Sequence, residues 1–137
     1  MKINVKRLDD DFHMEASNED GNTLHIDGAP DIGGHGKGMR PMQLLLAATG
    51  GCSSIDVILI LKKQKQVIES FEVEVEGEKE KVEDHSIFKD IVLHFKIKGQ
   101  VDPEKAERAV KLSMDKYCSV SKILGKTARI TYKVTVN

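Results

Sequence analysis

The feature that most constrains this chain is the stretch from Pro41 to about Gln66, where apolar residues fall on nearly every face of a helix. Pro41 suits a first turn, because the N–H it lacks is one that a helix leaves unpaired anyway. Lys62, Lys63 and Lys65 gather at the other end, where cations oppose the negative pole of the helix dipole. Such a helix has about 26 residues and a length of roughly 39 Å. In a chain of 137 residues one small sheet cannot cover an apolar surface of that length. A second copy of the chain is the economical cover, so a homodimer with an extensive apolar interface is expected. Gly50-Gly51, Ser53-Ser54 and above all Asp56 interrupt the stretch, and a carboxylate in mid-span is costly in lipid. The segment therefore reads as a buried core helix, with no membrane partner.

Around this helix the pattern is one of strands. Ile3 and Val5 alternate with polar residues, as do Phe12, Met14 and Ala16, and then Leu24 and Ile26. Asp9-Asp10-Asp11 and Asn18 to Asn22, with its Asp-Gly pair, supply the turns, so the simplest assembly is a β-meander. Residues 28 to 40 form a glycine-rich loop, read as a flexible loop over the start of the helix. After the helix, Phe71, Val73 and Val75 mark a half-buried strand ending at Gly77, and the charged stretch Glu78 to Asp84 is expected to be solvated. Ile91, Leu93, Phe95 and Ile97 share one face of a further strand. Asp102-Pro103 opens a second helix by N-cap logic, with Ala106, Ala109, Val110, Ser113, Met114 and Tyr117 as its packing stripe. A short helix from Ser119 to Leu124 and a strand through Ile130, Tyr132, Val134 and Val136 complete the chain. The order βββ-α-ββ-αα-β is an α+β fold class, and residues 1–137 read as one domain.

Charge excludes one class of partner. The 21 Lys and Arg residues against 22 Asp and Glu give a net charge of −1, without a basic stripe. Nucleic acid, which needs a local cationic excess, is not expected. Residues Met1 to Arg7 lack the apolar run of a signal peptide, and the expected location is the cytoplasm. In that compartment two cysteines far apart in sequence do not predict a structural disulfide, and no CxxC motif occurs.

Chemistry, if present, centres on these thiols. Cys52 lies in mid-helix after Gly50-Gly51, and paired glycines there each cost about 1 kcal/mol relative to alanine unless a neighbour must approach closely. Asp56 follows one turn later on the same face. A carboxylate alone disfavours thiolate, so a cation is required, and Lys37 and Arg40 are the candidates beside the helix start. Cys118 stands at the break between two helices, where free N–H groups favour thiolate. Both cysteines also suit small apolar core positions. Gly33-Gly34-His35-Gly36-Lys37-Gly38 lacks Walker A spacing, and the five histidines are never paired at ligand spacing, so neither a nucleotide cofactor nor a metal is expected.

Two segments carry a family resemblance: Pro41 through Gly50-Gly51-Cys52-Ser53-Ser54-Ile55-Asp56-Val57, and Lys116-Tyr117-Cys118-Ser119-Val120-Ser121. They resemble the OsmC/Ohr superfamily, most nearly its YhfA-like branch. The resemblance implies an intertwined homodimer, with long central helices wrapped by antiparallel sheets. It also implies hydroperoxide reduction in oxidative or osmotic stress, without a cofactor. Cys52 would attack the peroxide, Cys118 would resolve the resulting sulfenic acid to a disulfide, and an external dithiol would restore both thiols. The family's activating carboxylate falls at Met42, with Gln43 beside it as an auxiliary candidate. Its activating arginine corresponds by order to the turn Leu8-Asp9-Asp10-Asp11, which holds no Arg, and the nearby Arg7 does not match. Three readings follow: a thiol peroxidase, a redox sensor or small-ligand-binding dimer without turnover, and a protein whose thiols are purely structural.

Overall fold

A computed structural model describes every residue from Met1 to Asn137. The chain forms two compact units, Met1–Leu45 and Leu46–Asn137. The α+β element order is the one that the periodicities predict.

The first unit is built on an antiparallel meander of β1 (Ile3–Arg7), β2 (Met14–Asn18) and β3 (Thr23–Ile26). Val5 pairs with Ala16, and Ala16 with Leu24, so the apolar positions fall in line. Phe12, expected within β2, precedes it and lies where a Cβ on Gly28 would meet it at 3.2 Å. Side chains hold the turns: the Asp9 carboxylate accepts the N–H groups of Asp11 and His13 at 2.9 and 3.1 Å. Arg7 donates to the carbonyls of Asp10 and Asp11. One face of the sheet is open. Ile3, Val5, Leu24 and Leu44 help to line an apolar groove of about 390 Å³, and Ile3 is 58% exposed.

The glycine-rich loop, expected to be flexible, is cross-braced. Asp27, only 1% exposed, accepts the N–H groups of Gly28, His35 and Lys37 at 2.8, 3.0 and 3.1 Å. These bonds outweigh desolvation and hold its carboxyl below the usual aspartate range. A parallel bridge between Ile26 and Met39 and a hydrogen bond between His35 Nε2 and the Asp11 carboxylate at 2.7 Å secure the loop further. His13 and His25, dispersed in the sequence, also meet, with Nε2 and Nδ1 2.7 Å apart. The two side chains come together through strand pairing, because β3 sets His25 opposite Glu15.

Helix α1 spans Pro41–Lys63, three residues short of the expected end. Lys65 takes a left-handed conformation (φ 59°), while Gln66 N–H bonds Leu61 O and Lys65 N–H bonds Lys62 O. This is the Schellman arrangement, with lysine where glycine is usual. The helix is apolar and long enough to cross a membrane by length and composition. It is only partly the buried core helix expected: within the chain, Thr49, Gly50, Ser53, Val57 and Leu61 are buried along one line. Ile55 and Leu59 are 69% and 51% exposed.

The second unit packs this line against a sheet of β4 (Val67–Val82), β5 (His85–Gln100) and β6 (Arg129–Val136). Strands β4 and β5 form a hairpin of two 16-residue arms. They are longer than expected because the charged stretch beyond Gly77 stays paired to β5 as far as Val82. Those residues are nonetheless exposed, as expected. A bulge between Glu78 and Lys79, opposite Phe88 and Asp90, leaves Lys89 unpaired and reverses the alternation. Phe88 and Ile91 can then both turn inward, ahead of Leu93, Phe95 and Ile97. Gly50 explains the close helix–sheet approach, since a Cβ there would lie 2.9 Å from a methyl of Val75. Strand β6 runs parallel to β5, so the connection crosses through helices α2 (Pro103–Leu112) and α3 (Ser119–Leu124). Asp102 caps α2 as predicted, accepting from Glu104 and Lys105 N–H at 2.8 and 3.3 Å.

Candidate functional site

The second cysteine is placed by an irregular turn. After Leu112 the backbone makes one turn of π-helix, Ser113–Tyr117, and the Cys118 N–H reaches back to Ser113 O at 2.8 Å. The wider turn shifts the helical phase, so Tyr117 leaves the expected packing stripe and is 51% exposed. Ser113 remains inside, and its hydroxyl donates to the Asp56 carboxylate on α1 at 2.9 Å. Cys118 leaves the turn in extended conformation and becomes the N-cap of α3.

At that position Cys118 Sγ is an acceptor. It receives the Ser121 N–H at 3.4 Å and the Ser121 hydroxyl at 3.1 Å. The same hydroxyl lies 2.5 Å from Thr49 Oγ1 on α1. Cys118 and Thr49 are fully buried and Ser121 is 5% exposed, so this chain of sulfur and two hydroxyls is shielded from bulk water. One turn along α1 lies the half-buried Cys52, a neighbour close enough to influence the Cys118 thiol. Burial pushes the Cys118 thiol pKa up, Ser121 opposes the shift, and Cys52 adds to it. Both cysteines are free thiols.

The helix backbone is quiet around this pair. Ser53 Oγ donates to Thr49 O at 2.8 Å and Ser54 Oγ to Gly50 O at 2.6 Å, which satisfies two hydroxyls within α1. Gly51 is exposed, and a Cβ there would meet nothing within 4 Å. Beyond the thiols, Asp56, Leu59, Ile60, Lys63 and Tyr117 line a cavity of about 440 Å³. On the far side of Cys118, Ser121 opens on a second cavity of about 380 Å³, with Met114, Asp115, Lys122, Lys126 and Tyr132 in its wall.

Of the residues singled out in the sequence, Cys52, Asp56 and Cys118 all lie in the second unit, with Ser113 carrying Asp56. Lys37, Arg40 and Gln43 lie in the first. There Gln43 Oε1 accepts the Arg40 N–H at 3.0 Å, a cap for the start of α1. Lys37 places its charge near Asp9 and helps to hold that carboxyl down. Thr49 and Ser121 were not singled out. Ser121 had a signal, being the third residue after an N-cap, the position whose N–H such a cap binds. No group of three or more His, Cys, Asp or Glu side chains is arranged to hold a metal ion.

Comparison with known proteins places these features in a family. Residues 34–133 match the model of the OsmC-like proteins. The chain is 42% identical to Protein YhfA of Escherichia coli (strain K12) over 101 residues, which are 73% of this chain and 75% of that protein. A hypothetical protein from Aquifex aeolicus VF5 superimposes with a TM-score of 0.80 at 27% identity, covering 99% of this chain and 96% of the other. The organic hydroperoxide resistance protein OsmC of Legionella pneumophila, also described as a predicted redox protein, has a TM-score of 0.73. It is 22% identical and covers 99% of this chain and 98% of its own. The same α+β architecture runs the length of these chains, and the family match takes in both thiols: this protein belongs to the OsmC-like family.

Proposed function

We propose that this protein is a thiol-dependent redox protein of the cytoplasm, which reduces organic hydroperoxides as a homodimer during oxidative or osmotic stress. The observation that carries the reading is the approach of Cys52 to Cys118, one thiol half-buried and the other fully buried. Cys52 thiolate attacks the distal peroxide oxygen. The O–O bond breaks, and the alkoxide leaves as alcohol after taking up a proton. Cys52 is then a sulfenic acid. Cys118 attacks its sulfur, and the disulfide forms with loss of water. A dithiol reductant returns both residues to thiols and leaves as its own disulfide. The name of the Legionella pneumophila protein agrees with this chemistry.

Stopped-flow mixing of the reduced protein with cumene hydroperoxide, and separately with hydrogen peroxide, tests the reading. The expected result is fast, stoichiometric formation of a Cys52–Cys118 disulfide, mapped by mass spectrometry. Reaction no faster than that of an ordinary free thiol would exclude turnover. One observation favours a second reading, a redox sensor or small-ligand-binding dimer. Arg7 is engaged by the carbonyls of its own loop, and Met42 stands where the family has its carboxylate, so the usual activating pair is unmatched.

The dimer is proposed from exposed apolar surface on α1, notably Ile55 and Leu59, and from the open groove on the meander. Light scattering of the purified protein should give twice the chain mass. Ile55→Lys, which sets a charge on a face meant for burial, should halve it at micromolar concentration. A monomeric parent, or a variant that still dimerises equally well, would refute this part of the proposal.

A further inference from the structure

We infer that Ser121 is a positioning residue for Cys118: its hydroxyl, held between Thr49 Oγ1 and Cys118 Sγ, relays the thiol proton, taking it up while passing its own to water in the adjoining cavity, and then donates to the sulfur of the thiolate that closes the disulfide. This inference rests on the pairing of Cys52 with Cys118 but not on peroxide as the oxidant. The geometry supplies each part. Cys118 is fully buried, so no bulk water can take its proton directly. The only hydroxyl bonded to its sulfur is that of Ser121, at 3.1 Å. Thr49 at 2.5 Å fixes that hydroxyl in place, and either oxygen of the pair can be the donor. Ser121 also lines the cavity of about 380 Å³ on its far side, which gives the proton a route to water.

The sulfur needs such help because its surroundings favour the neutral thiol. Burial disfavours the thiolate first, and the neighbouring Cys52 adds to this, whereas the two Ser121 donors work the other way. From α1 the titratable group that faces Cys118 is Cys52, and from α3 only Ser121 acts on it. Asp115, Lys122, Lys126 and Tyr132 stand around the cavity beyond Ser121. A hydroxyl that can accept from the thiol and donate to the thiolate serves both ends of the transfer.

Oxidation of the reduced full-length protein by glutathione disulfide isolates this step. Cys52 thiolate attacks the disulfide, forms a mixed disulfide and releases one glutathione thiolate. Cys118 gives up its proton through Ser121, attacks the Cys52 sulfur and releases the second glutathione. The sum is two protein thiols and one glutathione disulfide converted to one protein disulfide and two glutathiones. Ser121→Ala should slow closure about tenfold, the worth of one good hydrogen bond in a transition state. It should also let the mixed disulfide on Cys52 accumulate and move the rising limb of the closure rate to higher pH. Ser121→Thr, which restores a hydroxyl, should recover the rate and the pH profile. If Ser121→Ala closes at the parent rate with an unchanged pH profile, or if Ser121→Thr stays as slow as alanine, the inference fails and the cysteine pairing stands. If the parent itself forms no internal disulfide, the pairing fails and takes the inference with it.

Discussion

Cys52→Ser is expected to abolish the fast reaction with organic hydroperoxide, a loss of at least about a hundredfold, as is usual when a nucleophile is removed outright. Cys118→Ser should leave that first reaction intact and stop it at the sulfenic acid of Cys52, which a dimedone adduct will report by mass. The asymmetry follows from position. Cys118 is fully buried, and burial holds its thiol in the neutral form, so it cannot meet a peroxide first. Cys52 is half-buried, with exposed Gly51 beside it and room around its turn of α1. On the proposed mechanism the thiol at the edge attacks, and the thiol behind it closes the bond. Peroxide reactivity retained in Cys52→Ser but lost in Cys118→Ser would reverse these roles and overturn the assignment.

The residues that carry periodic or capping information were legible in the sequence. Strand β5, strand β6 and the Asp102-Pro103 cap of α2 stand where alternation and N-cap chemistry put them. What could not be read has specific causes. The outer arms of β4 and β5 lie on solvent, so no buried face imposes alternation, and backbone pairing alone sustains them. Helix α1 ends early on a left-handed lysine, where the expected signal is glycine. The π turn before Cys118 has no residue signature, because it concerns which carbonyl each N–H chooses. That choice decides which face Tyr117 takes.

The same holds for the candidate site. Motif context pointed to both cysteines, and helical spacing to Asp56, but the hydroxyls beside Cys118 come from separate elements. Thr49 and Ser121 meet only because α1 and α3 pack on each other, and nothing local announces it. The glycine-rich loop shows a similar gap. Its anchor, Asp27, draws donors from eight and ten residues further on, beyond any turn rule. A loop of glycines reads as loose until the carboxylate that ties it is placed.

Phe95→Ala should be the most damaging single core change, costing about 3–5 kcal/mol. Phe95 is fully buried near the middle of β5, with Val73 opposite on β4 and Val134 on β6. Its ring meets that of Phe71 edge-on, with centroids 6.2 Å apart and planes at 71°. Removing it takes away the transfer energy of the ring and leaves a cavity on the buried face of the sheet, which the paired strands cannot fill without breaking their ladders. Against a typical domain stability of about 5–15 kcal/mol, that leaves little margin. Urea unfolding at several protein concentrations will measure it, the concentration series separating loss of core packing from loss of subunit association. A change below about 1.5 kcal/mol would mean that the β5 core contributes less than its burial implies, and that the stability of this chain resides mainly in the contacts its exposed apolar surfaces make with another copy.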